Sequence, residues 1–184
     1  FYMTGKGSKL LSGSKHFYDD LGNEIGSAEF MNGELDKAHC TSFRFSKSET
    51  EVTGEEDEAQ TITTGYEKEI NPSSYTEEVD PANFYDQFND SVLSETITKT
   101  VTDAEGSTLS QTTTYLRGKN KTETVTTYEN DDFGRTVKEN TIQKKYQDGR
   151  WLPSYETEVS YTYDENGNVT ETETKSRKEG ETDW

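Results

Sequence analysis

Acidic and amide side chains alternate near the end of the chain with the spacing of a calcium-binding loop. Asp164, Asn166 and Asn168 occupy the first, third and fifth positions of an EF-type loop, where carboxylate and amide oxygens bind Ca²⁺. The sixth position, which needs glycine, is Val169, and the twelfth, which needs a bidentate glutamate, is Lys175. Because the bidentate ligand is missing, the pattern predicts a chain reversal rather than a dedicated metal site.

The sequence offers few groups for nucleophilic or zinc chemistry. His39 and Cys40 are adjacent, and adjacent side chains on a strand point to opposite faces, so they cannot act together as base and nucleophile. The second histidine, His16, has no recognised zinc-motif spacing from this pair. The 37 acidic residues make carboxylate pairs too common to indicate a glycosidase. We therefore expect no catalytic residues, no cofactor and no metal.

One aromatic pair is a candidate binding surface. Trp151 and Tyr155 lie in the segment RWLPSY, and exposed aromatic rings of this kind mark binding sites and stack on sugars. Aromatic residues beside a proline also pack on their own sheet, so that alternative stays open. We expect Trp151 and Tyr155 to form the contact with an extracellular glycan or protein partner.

Period-two alternation in the second half of the chain predicts β-strands. In Tyr155–Tyr163, YETEVSYTY, the odd-numbered residues are aromatic or β-branched, and the even-numbered residues are polar. This pattern is typical of a strand that covers one face and exposes the other. The segments 96–102, 121–128 and 169–175 repeat the alternation with many threonines, which favour strands and suit a partly covered face.

Glycine-containing turns separate these strands. They occupy 103–107, 131–135, 147–150 and 164–168, and Asp-Gly or Asn-Gly pairs reverse a chain easily because they adopt positive φ. We therefore predict a mainly β fold. Its expected form is an elongated antiparallel meander of long hairpins, in a twisted or partly rolled sheet.

The first half of the chain is less regular and contains one helical signal. In DPANFYDQFND, Asp80 is a suitable N-cap and Pro81 suits the first turn. Phe84 and Phe88 share a helical face, so we predict a short helix near 81–90. We treat 1–184 as a single β-rich domain, with a looser N-terminal part over 1–80 and a regular hairpin meander over 91–184.

The composition limits both the core and the partners. Leu, Ile, Val and Phe supply only 29 of 184 residues, which is too few aliphatic and aromatic side chains for a thick core. With 19 basic and 37 acidic side chains, the net charge is −18, so the electrostatic drive toward nucleic acids and anionic membranes is missing. No stretch is long and apolar enough to predict a transmembrane segment, and one cysteine excludes an internal disulfide.

Two segments, YDDLGNEI and YTYDENGNVT, share a Tyr-Asp…Gly pattern. The shared residues are Tyr18, Asp19, Gly22 and Asn23 in the first, and Tyr163, Asp164, Gly167 and Asn168 in the second. About three degraded copies lie near Gly106, Gly134 and Gly149. The pattern resembles the YD repeat of Rhs and teneurin-type proteins and of secreted lipoproteins from Gram-positive gut bacteria. The resemblance implies β-hairpins whose repeat residues are structural turn residues.

These features predict a non-enzymatic, exported or cell-surface β-sheet module with a structural or binding role. The resemblance implies a bacterial cell-surface or extracellular location, with the signal region outside this chain. Two alternatives stay open: a carbohydrate-binding or carbohydrate-active extracellular protein, and a fragment of a YD-repeat shell protein. The sequence specifies neither the ligand nor the oligomeric state.

Overall fold

The computed structural model describes residues 3–4, 9–10, 13–18, 22, 24–31, 42–55, 58–71, 92–178 and 181. The helix predicted near 81–90 lies outside these residues. So do His39, Cys40 and two members of the first repeat, Asp19 and Asn23.

The described chain consists of strands joined by turns. The strands are β1 (Met3–Thr4), β2 (Lys9–Leu10), β3 (Gly13–Tyr18), β4 (Glu24–Met31), β5 (Ser42–Thr53), β6 (Gln60–Ile70), β7 (Val92–Thr102), β8 (Thr108–Arg117), β9 (Asn120–Asn130), β10 (Thr136–Gln147), β11 (Arg150–Tyr163) and β12 (Val169–Lys178). β1 and β2 pair with each other, and the other strands follow one another from β3 to β12 in a single ten-stranded order. The predicted mainly β antiparallel meander is confirmed, and its strand order has two ends, β3 and β12.

The chain divides into two compact units. The first comprises Phe1–Glu49 and Gly65–Thr96, and the second comprises Thr50–Thr64 and Ile97–Trp184. Within the first unit lie Ile70 and Lys68, the only buried residues among those described, with exposed fractions of 0% and 3%. The Lys68 ammonium lies 3.9 Å from Glu95, so its charge has a partner in a neighbouring strand.

Within the second unit, the strands β8–β12 carry half-exposed side chains on both faces. Every residue of these strands is either partly or fully exposed, and none of the unit's described residues is buried. Such a layer cannot be stabilised mainly by a dry apolar core. Contacts between side chains on neighbouring strands must supply much of the stability.

Three chain reversals in the second unit have the same turn geometry, and they begin at Asp103, Asp131 and Asp164. The backbone N–H of each aspartate donates to the carbonyl oxygen four residues later, at 3.0, 2.9 and 2.9 Å respectively. Each carboxylate Oδ1 accepts a hydrogen bond from the N–H of that same fourth residue, at 2.7, 3.0 and 2.8 Å. The aspartate side chain thus accepts a hydrogen bond from a backbone N–H group of its own loop, which is why aspartate is suited to begin each reversal.

After the turns at Asp131 and Asp164, the return strand skips one residue in its pairing. The skipped residue is Thr170 between β11 and β12, and Val137 between β9 and β10. Within the first unit the hairpin β3–β4 skips Ile25 at the same place. A skipped residue is a β-bulge, which resets which side chains face each way in the return strand.

Two-residue turns close the alternate hairpins of the second unit. Gly118 and Lys119 join β8 to β9, and Asp148 and Gly149 join β10 to β11. Asp148 and Gly149 both have positive φ, 52° and 79°, as a type I′ turn requires. Because successive strands run in opposite directions, the Asp-initiated turns occupy one end of β8–β12 and the two-residue turns occupy the other.

Gly54, in the loop after β5, and Gly106, in the turn at 103–107, have similar backbone angles but differ in the space around them. Gly106 and Gly54 have φ of 91° and 83°, where an added Cβ is strained. At Gly106 that Cβ meets nothing within 4 Å, whereas at Gly54 it lies 2.6 Å from the Glu58 carbonyl oxygen. We predict that Gly106→Ala lowers the unfolding free energy by about 1–2 kcal/mol, and that Gly54→Ala lowers it further. Urea denaturation measures both; equal losses would mean that the loop after β5 relaxes freely.

The Asp-initiated turns also predict acid sensitivity. Hydrogen bonds from the Arg135 side chain and from the Asn168 side chain lower the pKa of Asp131 and of Asp164, respectively, from the ordinary 3.8. A carboxyl with a lowered pKa in the folded state stabilises the fold above its ordinary pKa and loses that contribution as pH falls through the lowered value. We expect the melting temperature to fall as the pH drops below 3.8. The Asp131→Asn/Asp164→Asn variant should show a shallower fall, and parallel curves would contradict the role of these turns.

Candidate functional site

The side chain of Trp151 contacts Tyr146 across the hairpin β10–β11. The two residues are direct cross-strand partners, because the turn at 148–149 sets Gln147 opposite Arg150 and Tyr146 opposite Trp151. Their ring centroids are 5.3 Å apart and the ring planes meet at 71°, an edge-to-face arrangement that is favourable for aromatic pairs. The pair therefore has a geometry fixed by the turn.

Lys121 of β9 completes this group. Thr122 pairs with Lys145 across β9 and β10, so Lys121 lies in the same row as Tyr146. Its Nζ is 5.6 Å from the Tyr146 ring centroid and 5.3 Å from the Trp151 ring centroid. We call Lys121, Tyr146 and Trp151 the aromatic–lysine cluster. An ammonium within about 6 Å of a ring centroid is attracted by the ring electrons, which orients the lysine.

The aromatic–lysine cluster is accessible from solvent. Tyr146 is 46% exposed, whereas Trp151 and Lys121 are half-buried. The rings present apolar surface, the Tyr146 hydroxyl donates and accepts hydrogen bonds, and the ammonium carries three donors. This combination suits a ligand with both C–H faces and oxygen acceptors, such as a sugar.

The predicted binding pair, Trp151 and Tyr155, does not lie on one surface in the structure. The pairing of β10 with β11 shifts between Gln143 and Lys144, so Pro153 faces Lys144 while Tyr155 faces Gln143. This bulge places Tyr155 on the face opposite to Trp151, although positions 151 and 155 would share a face in a regular strand. A hydrogen bond with the Ser176 side chain lowers the pKa of Tyr155. The predicted aromatic pair is thus two separate surfaces.

Sequence reasoning missed Tyr146 and Lys121. The signal was present in the two short turns, Gly118-Lys119 and Asp148-Gly149, since each fixes the register of the hairpin that it closes. Counting back from Asp148-Gly149 sets Tyr146 opposite Trp151. Lys121 needed the register of β9 with β10 as well, and the bulge after the intervening Asp-initiated turn changes that register.

The repeat residues build a structural contact between neighbouring turns. The Tyr163 hydroxyl donates a hydrogen bond to the carbonyl oxygen of Thr136 at 2.6 Å. The Arg135 guanidinium lies 4.7 Å from the Tyr163 ring centroid and 5.0 Å from that of Phe133. Its Nη2 is 2.6 Å from Oδ2 of Asp131. Tyr163 and Arg135 therefore connect the turn at 131–135 to the end of β11.

The residue that precedes the aspartate differs between the Asp-initiated turns, and it is Tyr163 only in the turn at 164–168. In the turns at 103–107 and 131–135 the residue before the aspartate is Thr102 or Asn130. Asn130 uses its side-chain amide instead, donating to the Thr108 carbonyl oxygen at 3.0 Å. Tyr18 holds the place of Tyr163 in the first unit, where it is 52% exposed, and Gly22 has the positive φ of Gly167, 85° against 82°.

The carboxylate of Asp164 is committed to its own turn. Oδ1 accepts hydrogen bonds from the backbone N–H groups of Asn166 and Asn168, at 2.9 and 2.8 Å, and Oδ2 accepts one from the Asn168 side chain at 2.9 Å. Among the described residues, no group of three or more His, Cys, Asp or Glu side chains is placed to bind a metal ion. Turn geometry therefore accounts for the calcium-like spacing at 164–168.

On one face of β9–β12, acidic and basic side chains of neighbouring strands lie next to each other. The shortest contacts join Lys138 to Glu158 at 2.8 Å, Lys144 to Glu123 at 2.9 Å and Arg177 to Glu156 at 2.5 Å. The hydrogen bond with Lys138 lowers the pKa of Glu158 and raises the pKa of Lys138. We call this group the ion-pair ladder; its members are Glu123, Glu129, Lys138, Lys144, Glu156, Glu158, Lys175 and Arg177.

The opposite face of the same strands carries tyrosines and threonines. Thr126 and Thr141 share a hydrogen bond at 3.0 Å, and the Tyr161 hydroxyl donates to the Glu139 carboxylate at 3.1 Å. Partial burial raises the pKa of both Tyr128 and Tyr161, and the nearby Glu139 carboxylate raises it further. These tyrosines keep their hydroxyl protons at neutral pH, so this face offers neutral hydroxyl groups and rings.

Comparison of the chain with family models, curated proteins and solved structures gives no match. Across the described residues, no helix has the length and apolar character needed to cross a membrane.

The ion-pair ladder predicts a measurable coupling between its members. Glu123 and Lys144 are partly buried, with exposed side-chain fractions of 19% and 28%. In a double-mutant cycle of Glu123→Gln and Lys144→Met, we expect a coupling of about 0.2–1 kcal/mol, the range for cross-strand charge pairs. Urea denaturation at low and high salt measures it. The coupling should decrease in high salt, and a coupling of zero at low salt would contradict a stabilising role.

Proposed function

We propose that this protein is a non-enzymatic, exported or cell-surface β-sheet module with a structural and binding role. The observation that carries the proposal is the half-exposure of side chains on both faces of β8–β12. These side chains hold each other in place through cross-strand hydrogen bonds and ion pairs. Such a sheet presents two ordered and chemically different surfaces to other molecules.

Three sequence features support an extracellular location. The net charge is −18, and aliphatic side chains are few, whereas threonine and tyrosine are abundant on the strands. The Tyr-Asp…Gly sequences resemble the turns of secreted and surface proteins, and the Asp-initiated turn with a following bulge occurs at both Asp131 and Asp164. A repeated, self-satisfied turn needs neither a cofactor nor a disulfide for its stability.

The location is tested on intact cells of the source organism. The protein is produced there from its complete reading frame and the cells are treated with a protease that does not enter them. We expect loss of the full-length protein while a cytoplasmic marker survives. Protection of the protein together with the marker, and its absence from the culture medium, would refute export without affecting the binding proposal.

The aromatic–lysine cluster favours a carbohydrate as the ligand. Tyr146 and Trp151 present rings at 71° to each other, and Lys121 places donors beside both rings. Sugars combine apolar C–H faces with hydroxyl oxygens, so ring stacking and hydrogen bonds from the ammonium act on the same ligand. The geometry is set by the short turn at 148–149, which places the cluster at one end of the strands.

A glycan array with matched variants tests this ligand. We expect Trp151→Ala and Lys121→Ala each to weaken binding by about tenfold or more, as for a central contact residue. Tyr115→Ala is the control, because Tyr115 is 37% exposed and lies in the row of Thr122 and Lys145, on the opposite face. An empty array, or an equal loss with Tyr115→Ala, would refute the carbohydrate site while leaving the structural role in place.

A further inference from the structure

One end of β8–β11 carries a concentration of basic side chains. This end contains the two-residue turns, and the segments around them, 117–123 and 144–151, have six basic and two acidic side chains, a net charge of +4. The whole chain has a net charge of −18, so the sign is locally reversed. We call this region the basic end; its basic members are Arg117, Lys119, Lys121, Lys144, Lys145 and Arg150.

The other end of these strands is acidic. The Asp-initiated turns at 103–107, 131–135 and 164–168 contain six acidic side chains and one basic one. The two ends are separated by the length of a strand: β9 has 11 residues, which span about 35 Å at about 3.3 Å per residue. At physiological ionic strength, charges in solvent that are more than about 8 Å apart are largely screened from each other. The acidic turns therefore do not cancel the positive potential at the basic end.

Most cations of the basic end have no acidic partner. Lys144 is the exception, because its Nζ lies 2.9 Å from Glu123. Lys121 contacts the rings of Tyr146 and Trp151, and these contacts leave its N–H donors to the oxygen atoms of a ligand. The remaining four side chains are exposed and form no ion pair with any residue in the described part of the chain; they are Arg117, Lys119, Lys145 and Arg150.

These exposed cations surround the aromatic–lysine cluster. Each member of the cluster has one within two residues along the chain, namely Arg150 beside Trp151, Lys145 beside Tyr146 and Lys119 near Lys121. Adjacent residues of a strand belong to opposite faces, so Lys145 and Arg150 act on a ligand of the cluster through their electric field rather than by contact. Lys121 is the cation that contacts the ligand.

A sugar with an anionic group fits this combination better than a neutral sugar. Its C–H face stacks on a ring, and its carboxylate or sulfate oxygens accept charge-assisted hydrogen bonds from Lys121, which are roughly twice as strong as those between neutral groups. The positive potential of the basic end adds to the attraction. A long polyanion such as a nucleic acid extends beyond the basic end and meets the negative charge of the rest of the chain, so the charges favour a short ligand.

We propose that the aromatic–lysine cluster binds a short acidic glycan, through ring stacking and an ion pair between Lys121 and a carboxylate or sulfate group of the sugar. The proposal rests on the carbohydrate site proposed above and specifies the class of sugar. The other cations of the basic end attract the ligand and favour the orientation in which its anionic group meets Lys121.

Two pairs of probes, each an acidic sugar with its neutral counterpart, test the charge requirement. Trigalacturonic acid is compared with its methyl ester, and a sulfated lactose with lactose, so that carboxylate and sulfate are measured separately. Tripolyphosphate and a short single-stranded DNA measure binding to anions that are not acidic sugars. NMR titration of the full chain gives the dissociation constants, and the indole N–H signal of Trp151 reports binding at the cluster.

At low salt we expect at least one acidic sugar to bind about fivefold or more tightly than its neutral counterpart, and the difference should decrease in high salt. Lys121→Gln keeps N–H donors but removes the charge, so the advantage of the acidic sugar should disappear while the neutral sugar still binds. Lys119→Gln/Arg150→Gln should weaken binding of the acidic sugar about two- to fivefold. Lys99→Gln is the control and should change nothing, because Lys99 is exposed, lies in β7 and has no ion pair with the described residues.

Equal affinities within both pairs would overturn the acidic-glycan proposal, as would no binding of any of the four sugars. In the first case the carbohydrate site would stand if Trp151→Ala still weakens binding of acidic and neutral sugars alike. Tripolyphosphate or DNA that binds as tightly as the acidic sugars would also overturn the proposal, because charge alone would then suffice. Sugar affinities that are unchanged in Trp151→Ala would instead refute the carbohydrate site itself.

Discussion

A carboxylate that accepts hydrogen bonds from the backbone of its own turn sets the arrangement of the second unit. Asp103, Asp131 and Asp164 each hold a five-residue reversal closed, and one residue is skipped in the return strand after the reversals at Asp131 and Asp164. Side chains alternate along a strand, so a reversal one residue longer or shorter would move every following side chain to the other face. The ion-pair ladder and the tyrosine–threonine face both depend on this register.

The second unit replaces core burial by contacts between strands. None of its described residues is buried, yet its side chains are paired by charge, hydroxyl and ring contacts across neighbouring strands. Each such pair contributes about 0.2–1 kcal/mol, so many small terms take the place of a few large ones. This explains how a chain with 29 Leu, Ile, Val and Phe residues in 184 builds long strands.

The strands and turns of the second half were predictable because their signals are local. Alternation over Tyr155–Tyr163 and the Asp-Gly or Asn-Gly turns require no knowledge of distant residues. Pairing register was harder to predict. The shift between Gln143 and Lys144 separates Trp151 from Tyr155, and no residue type in RWLPSY marks such a bulge apart from Pro153, which lacks the N–H of a regular ladder.

The aromatic–lysine cluster shows the same limit of local reasoning. Tyr146 follows from the hairpin turn beside it, whereas Lys121 belongs to another strand and meets the rings only through the pairing of β9 with β10. A single charged residue in a threonine-rich strand gives no sign of this role. Non-local register decides which side chains meet, and it is the part of a β-sheet that composition and periodicity specify least.

The meander order has a consequence for how this chain folds and how it evolves. From β7 to β12 every connection is two or five residues long, and each strand lies next to the strands that precede and follow it in sequence. Closing such short loops costs little chain entropy, so the sheet can grow by adding one hairpin after another. The same locality means that a whole hairpin can be duplicated or deleted while the registers of the others persist. Length variation by complete hairpins is therefore the change that this architecture tolerates best.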